Sequence, residues 1–144
     1  DAAIGWGALL GAGDRMALLD WWATALDREA QIRPATRRAA LYARIADRMT
    51  EELRQDPGSG PANYWLAVAA RGAGDVEGAW DAAVAGWVRS ALRPEASHAL
   101  RADLDRLVGQ ALLPERARAG PASDQPETVT ALQAEWEAVK NQWR

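Results

Sequence analysis

A chain of 144 residues is enough for one domain, and a domain of that size buries roughly 68–70% of its unfolded surface. Hydrophobic residues at 49% and charged residues at 26% describe a globular chain, and a net charge of −3 with a pI near 5.2 argues against a nucleic-acid or polyanion binder. There is no cysteine, which excludes disulfides, thiolate chemistry and cysteine metal sites, and no apolar run approaches the roughly 20 residues of a membrane span.

In chain order, helix signals run throughout and strand signals are nearly absent, so the expected fold class is all-α. The chain opens on Asp1 rather than Met, which favours a missing upstream segment. The expectation is an exported or periplasmic protein, with the cytoplasm as the alternative. A short helix is expected near Ala3–Leu10, ended by Gly11. Asp14 is expected to N-cap a second helix to about Gln31, its carboxylate accepting from amides of the first turn. Pro34 opens a third helix, Ala35–Gln55, with Tyr42, Ile45, Met49 and Leu53 on one face.

The stretch Asp56-Pro57-Gly58-Ser59-Gly60-Pro61 is a break composed of turn residues. Beyond it come a helix over Ala62–Arg71, a Gly-Ala-Gly-Asp turn, a helix over Val76–Leu92 and a helix over Glu95–Leu113. Pro114–Gln125, rich in Pro, Gly, Ala and Arg, is expected to be a linker. Pro126 then opens a last helix whose stripe is Val129, Leu132, Trp136, Val139 and Trp143. Such a stripe needs a partner surface. The same domain is the expected one, and a coiled coil with a second chain is the alternative.

The tetrapeptide Gly-Ala-Gly-Asp occurs twice, at Gly11–Asp14 and Gly72–Asp75. Asp20 and Asp81 fall at matching places after the two copies, and each copy runs on to an Arg-Pro stop, Arg33-Pro34 and Arg93-Pro94. A repeat at about sixty residues implies stacked helical units, here about 3–55 and 62–113, with 126–144 added.

The segment from Asn63 to Trp87 resembles a tetratricopeptide (TPR) repeat. Leu66-Ala67 stands for the leucine and small residue of its first helix, Gly74-Asp75 for its turn, and Ala79 for the small residue at the helix crossing, with Ala83 and Gly86 also small. The first unit keeps Gly13-Asp14 and Ala25 but has Leu18 where a small residue belongs. The resemblance implies a TPR-like right-handed α-α superhelix of two irregular units closed by a C-terminal capping helix. It also implies that Tyr64, Val68 and Arg71 face a concave binding groove, with Trp22, Arg37 and Arg38 as further groove candidates. Arg101–Leu107, Leu113–Arg116 and Glu135–Lys140 look more weakly like uncharacterised bacterial envelope TPR proteins, some described as possible accessories of TonB-linked transport.

Other constellations have bland readings beside the chemical ones. The Gly-Ala-Gly-Asp turns lack the third glycine and preceding strand of a dinucleotide fingerprint and the Gly-Lys-Ser/Thr of a P-loop, so a hairpin turn is expected. His98 is the sole histidine, with no second imidazole for a metal and no nucleophile at useful spacing. Asp20 and Asp81 could form an acid pair for glycoside hydrolysis, although repetition alone explains their recurrence. Asp103 and Asp105 point to different faces of one helix. Arg33, Arg37, Arg38, Arg44 and Arg48 make the third helix locally basic, either as a solvated face or as a site for an acidic partner. All but one of the 17 basic residues are Arg, and eight Trp stand against no Phe; a GC-rich genome explains both biases. Trp80 with Trp87, and Trp136 with Trp143, have core spacing, and of adjacent Trp21 and Trp22 at most one is expected deep in the core.

The expected function is therefore non-catalytic: a monomeric protein- or peptide-binding helical module, as accessory or scaffold in a bacterial envelope assembly. It would need no cofactor, no metal and no nucleic acid. The alternatives are a helical-solenoid enzyme using carboxylates such as Asp20 and Asp81, or a structural subunit docked through its last helix.

Overall fold

The computed structural model describes residues 11–94, 97–120 and 125–144, so the helix expected near Ala3–Leu10 lies outside the described residues. The described residues form helices α1 (Ala12–Gln31), α2 (Ala35–Gln55), α3 (Gly60–Gly72), α4 (Val76–Ser90), α5 (Ser97–Leu107), α6 (Leu113–Ala119) and α7 (Pro126–Gln142). The protein is all-α, with no strand among the described residues. Helices adjacent in sequence pack on one another from α1 through α5, and α7 packs on α6 and α4.

The helix ends follow local chemistry. Pro34 lies at the corner between α1 and α2 and stands as the N-cap of α2. The carbonyls freed at the end of α1 are met by Arg38, whose guanidinium donates to Ala30 O at 3.2 Å and Arg33 O at 3.0 Å. Ser59 caps α3, its Oγ accepting from Ala62 N at 3.2 Å. At the other end, Asp75 N donates to Ala70 O and Gly74 N to Arg71 O, the paired bonds of a Schellman motif. That motif requires a left-handed residue, and Gly74 supplies it with φ of 85°. Asp75 then caps α4 by accepting from Gly78 N at 2.9 Å.

The first Gly-Ala-Gly-Asp copy does none of this. Gly11, in extended conformation, is the N-cap of α1, and Ala12 to Asp14 already lie in the first helical turn. Asp14 is thus an acid facing the helix dipole rather than the cap, and the two copies are not equivalent corners.

The linker expected from Pro114 also needs correcting. After α5 the helix widens into a π-helical stretch, Val108–Leu112, and continues as α6 to Ala119, with Leu113 and Ala117 buried. Leu113 N reaches back five residues to Val108 O. Pro114 has no N–H to give and its ring crowds the preceding turn, so a wider turn carries the helix past it.

Two apolar cores share α3. The first joins Leu19, Trp22 and Ala30 of α1 and Leu41, Ile45 and Met49 of α2 to Ala62, Trp65 and Ala69 of α3. The second joins Ala67 of α3 to Ala79, Trp80, Ala83 and Trp87 of α4, then to Leu104, Val108, Leu112 and Trp136. Small residues make the close α3–α4 approach possible. A Cβ at Gly86 would lie 3.3 Å from Asn63 Cβ; in the neighbouring α2–α3 contact, one at Gly72 would run into the Tyr42 ring.

Candidate functional site

The six groove candidates do not converge. Trp22 is 7% exposed and belongs to the first core, with the Arg44 guanidinium 6.0 Å from its ring centroid. Tyr64 is half-buried against both cores and edge-on to Trp65, and burial pushes its phenol pKa up. Val68 is half-buried against the first core. Arg71 is exposed but bonded to Glu115 at 2.8 Å, and Arg38 is the cap described above. Arg37 stays on the surface of α2. Arg33, just before α2, pairs with Glu29, so Arg33, Arg38 and Arg44 each make a separate contact.

Among the described residues, none of those six lines either of two surface clefts. The smaller, of about 350 Å³, is a trough over α3 between α2 and α4, lined almost wholly by alanines with Tyr42 and Leu66. The larger, of about 440 Å³, is built from four separate parts of the chain. Helix α1 supplies Met16, Ala17 and Asp20, and the turn into α3 supplies Asp56 and residues 58–61. The end of α4 supplies Arg89, Ser90 and Arg93, and α5 supplies Ser97 and Leu100.

The cleft walls are tied to each other by directed bonds. Arg93 forks onto Asp56 at 2.6 and 3.0 Å, which holds the Asp56 carboxyl below the usual carboxylate range. Arg89 donates to Pro57 O at 2.7 Å, and Asp20 accepts from the Trp65 indole N–H at 2.9 Å. Ser59 Oγ donates to Met16 Sδ at 3.6 Å. Arg101 donates to Ser90 Oγ from behind. Every wall is therefore fixed by a neighbour, which is what a preformed binding site requires.

Asp20 and Asp81 do not meet there: Asp20 lines the cleft, whereas Asp81 lies exposed on α4 and does not. Asp103 pairs with Arg106, and Asp105 accepts from Trp136 Nε1 at 2.8 Å and Lys140 at 2.9 Å. Burial opposes the charge on Asp105, but those two bonds outweigh it and leave its pKa lowered. No cluster of three or more metal-ligating side chains occurs among the described residues, and no helix among them is long and apolar enough to cross a membrane.

The tryptophans of the second core are structural. Trp136 sits edge-on to both Trp80 and Trp87, at 6.2 and 5.4 Å between centroids, and is 2% exposed. Arg116 covers the Trp80 ring at 4.7 Å and Arg101 the Trp87 ring at 4.5 Å. Arg101 also donates to Trp143 O. The clasp docks α7, while Val129 and Trp143, at 42% and 40% exposure, stand at the margins of the stripe.

What the fold and site define is a class: an all-α protein with one preformed, mixed polar and apolar cleft. Comparisons with protein-family models, with curated proteins and with solved structures give no match for the chain.

Proposed function

We propose that this protein is a non-catalytic, TPR-like helical module that binds a protein or peptide. The observation that supports it most is the chemistry of the larger cleft. Its apolar floor of Met16, Ala17, Pro61 and Leu100 is ringed by charged and hydroxyl side chains already fixed in place. Ligand-binding pockets are of this kind, mostly apolar with a few convergent polar groups. General acid–base chemistry asks for a carboxyl near its titration point at working pH. The shift resolved within the cleft runs the other way, with Asp56 held ionised by Arg93.

The reading extends to a scaffold or accessory role in a bacterial envelope assembly, on the weaker resemblance of Arg101–Leu107 and Glu135–Lys140. Fractionation of the native host tests that part directly, since a cytoplasmic chain would remove it.

Binding itself is tested by panning a displayed library of random peptides on the folded protein and mapping the enriched sequences by amide chemical shifts. The expected result is a shared sequence pattern whose shifts cluster on residues 16–20, 56–61 and 89–100. Failure to enrich any pattern, or hydrolysis of the bound peptides, would overturn the reading.

A further inference from the structure

We infer that the larger cleft recognises a short peptide segment of another protein in which an apolar side chain is flanked by one basic and one acidic residue. The inference rests on the binding-module reading and names the chemistry of its site.

Charge bookkeeping within the cleft leads to the ligand. Four charged side chains line it, two of each sign. Asp56 and Arg93 satisfy each other through a bidentate pair and leave no net charge to a ligand. Arg89 gives its Nε to a backbone carbonyl, that of Pro57, and pairs with no carboxylate among the described residues. Asp20 accepts from a neutral indole, that of Trp65, and has no cation bonded to it among the described residues. Among the described residues, one cation and one carboxylate on different walls therefore have no bonded counter-charge, each held in place by a neutral partner. A ligand that carries both signs satisfies both; a uniformly acidic or basic one is attracted by one and repelled by the other.

The apolar part of the lining asks for an apolar group beside those charges. Met16, Ala17, Pro61 and Leu100 present carbon, and a large exposed apolar side chain stands beside them. Leu92, 70% exposed, stands beside Gly58, where a Cβ would lie 3.7 Å from its Cδ1. Isolated exposed apolar residues need no explanation, but one beside a lining residue of the cleft matches the aliphatic anchors of peptide-binding surfaces. A volume of about 440 Å³ suits one bulky side chain with its neighbours rather than a whole helix.

The sequence supplies its own reporter. The chain has two methionines: Met16 lines the cleft, and Met49 is fully buried in the first core. In protein labelled with 13C at the methionine methyl groups, titration with acetyl-Lys-Leu-Glu-amide should move the Met16 signal saturably and leave Met49 still. The controls acetyl-Lys-Leu-Lys-amide, acetyl-Glu-Leu-Glu-amide and acetyl-Lys-Ser-Glu-amide should bind about tenfold more weakly or worse, the worth of one charge-assisted bond or one buried side chain. Asp20→Asn keeps an oxygen for Trp65 while removing the charge, and Arg89→Gln keeps a donor for Pro57. Each should cost about tenfold in affinity with an unchanged melting curve. A Met16 signal unmoved at millimolar peptide would overturn the inference, as would equal binding of all four peptides or undiminished binding by both variants. Library peptides that enrich but shift residues elsewhere would leave the binding module standing and remove this cleft as its site.

Discussion

At the residue scale, the most consequential side chain is Glu52, which is fully buried yet charged. It is held by Arg15 through contacts of 2.7, 2.9 and 3.1 Å, and bonding to Glu52 raises the Arg15 pKa. Removing one member of such a pair leaves the other charge buried without compensation. Glu52→Gln is therefore expected to cost about 3–5 kcal/mol in urea unfolding. The double change Arg15→Met with Glu52→Leu should recover most of that loss, because it removes both charges together. If the double variant is no better than the single, the pair is not where the cost lies. Asp56 makes a second prediction, in pH. Its bond to Arg93 lowers its folded pKa below the unfolded value of about 3.9, so the stability it contributes is complete above that pH. That contribution fades as pH falls through the lower folded value. Arg93 is half exposed, so Asp56→Asn should cost no more than about 1 kcal/mol at pH 7 and progressively less below pH 4. A penalty independent of pH would show that the carboxylate charge is not what matters.

At the scale of elements, α7 is held by one residue more than by its stripe. Trp136 is buried in the Trp80–Trp87 clasp and bonded to Asp105, whereas Leu132 and Val139 are only half-buried. A helix of 17 residues is marginal in water when undocked. Trp136→Ala should therefore cost about 3–5 kcal/mol and reduce far-UV ellipticity as α7 frays. Trp143→Ala, at the margin, should change neither. Loss of ellipticity in the second variant rather than the first would put the anchor at the wrong end. The elements legible in the sequence were those bounded by proline and turn residues. Ala35–Gln55 and the start at Pro126 were read as they stand, because Pro34, Asp56-Pro57 and Pro126 punctuate the chain there. Pro114 misled for the same reason, since a π-helical turn lets the helix pass a residue that ordinarily ends one. The Gly-Ala-Gly-Asp pair misled differently: one string of residues can close a helix or open one, and only what precedes it decides. The cleft was not legible at all. Its walls are scattered through the sequence, and two of them, residues 56–61 and Arg93, were read only as a break and a stop.

Across the whole molecule, α3 decides whether there is one cooperative unit or two. Its Trp65 and Ala69 belong to the first core and its Ala67 to the second, while Tyr64 packs against both. Neither core retains a closed surface if α3 leaves, and among the described residues no other helix supplies buried residues to both cores. Connections across the cleft add Arg93–Asp56 and Arg89–Pro57, which tie the end of α4 to the turn before α3. The two halves should therefore unfold together despite their separate cores. Leu41→Ala in the first core and Leu104→Ala in the second each remove a side chain with at most 1% exposure, at a cost of about 2–5 kcal/mol. Against a total of roughly 5–15 kcal/mol, either should lower a single urea midpoint seen identically by far-UV ellipticity and tryptophan fluorescence. The fluorescence reports both cores, since Trp22 and Trp65 lie in the first and Trp80, Trp87 and Trp136 in the second. If Leu104→Ala instead splits the transition, so that ellipticity and fluorescence no longer coincide, the second core is an independent unit. The cleft, which draws its walls from both sides of α3, would then open before either core melts.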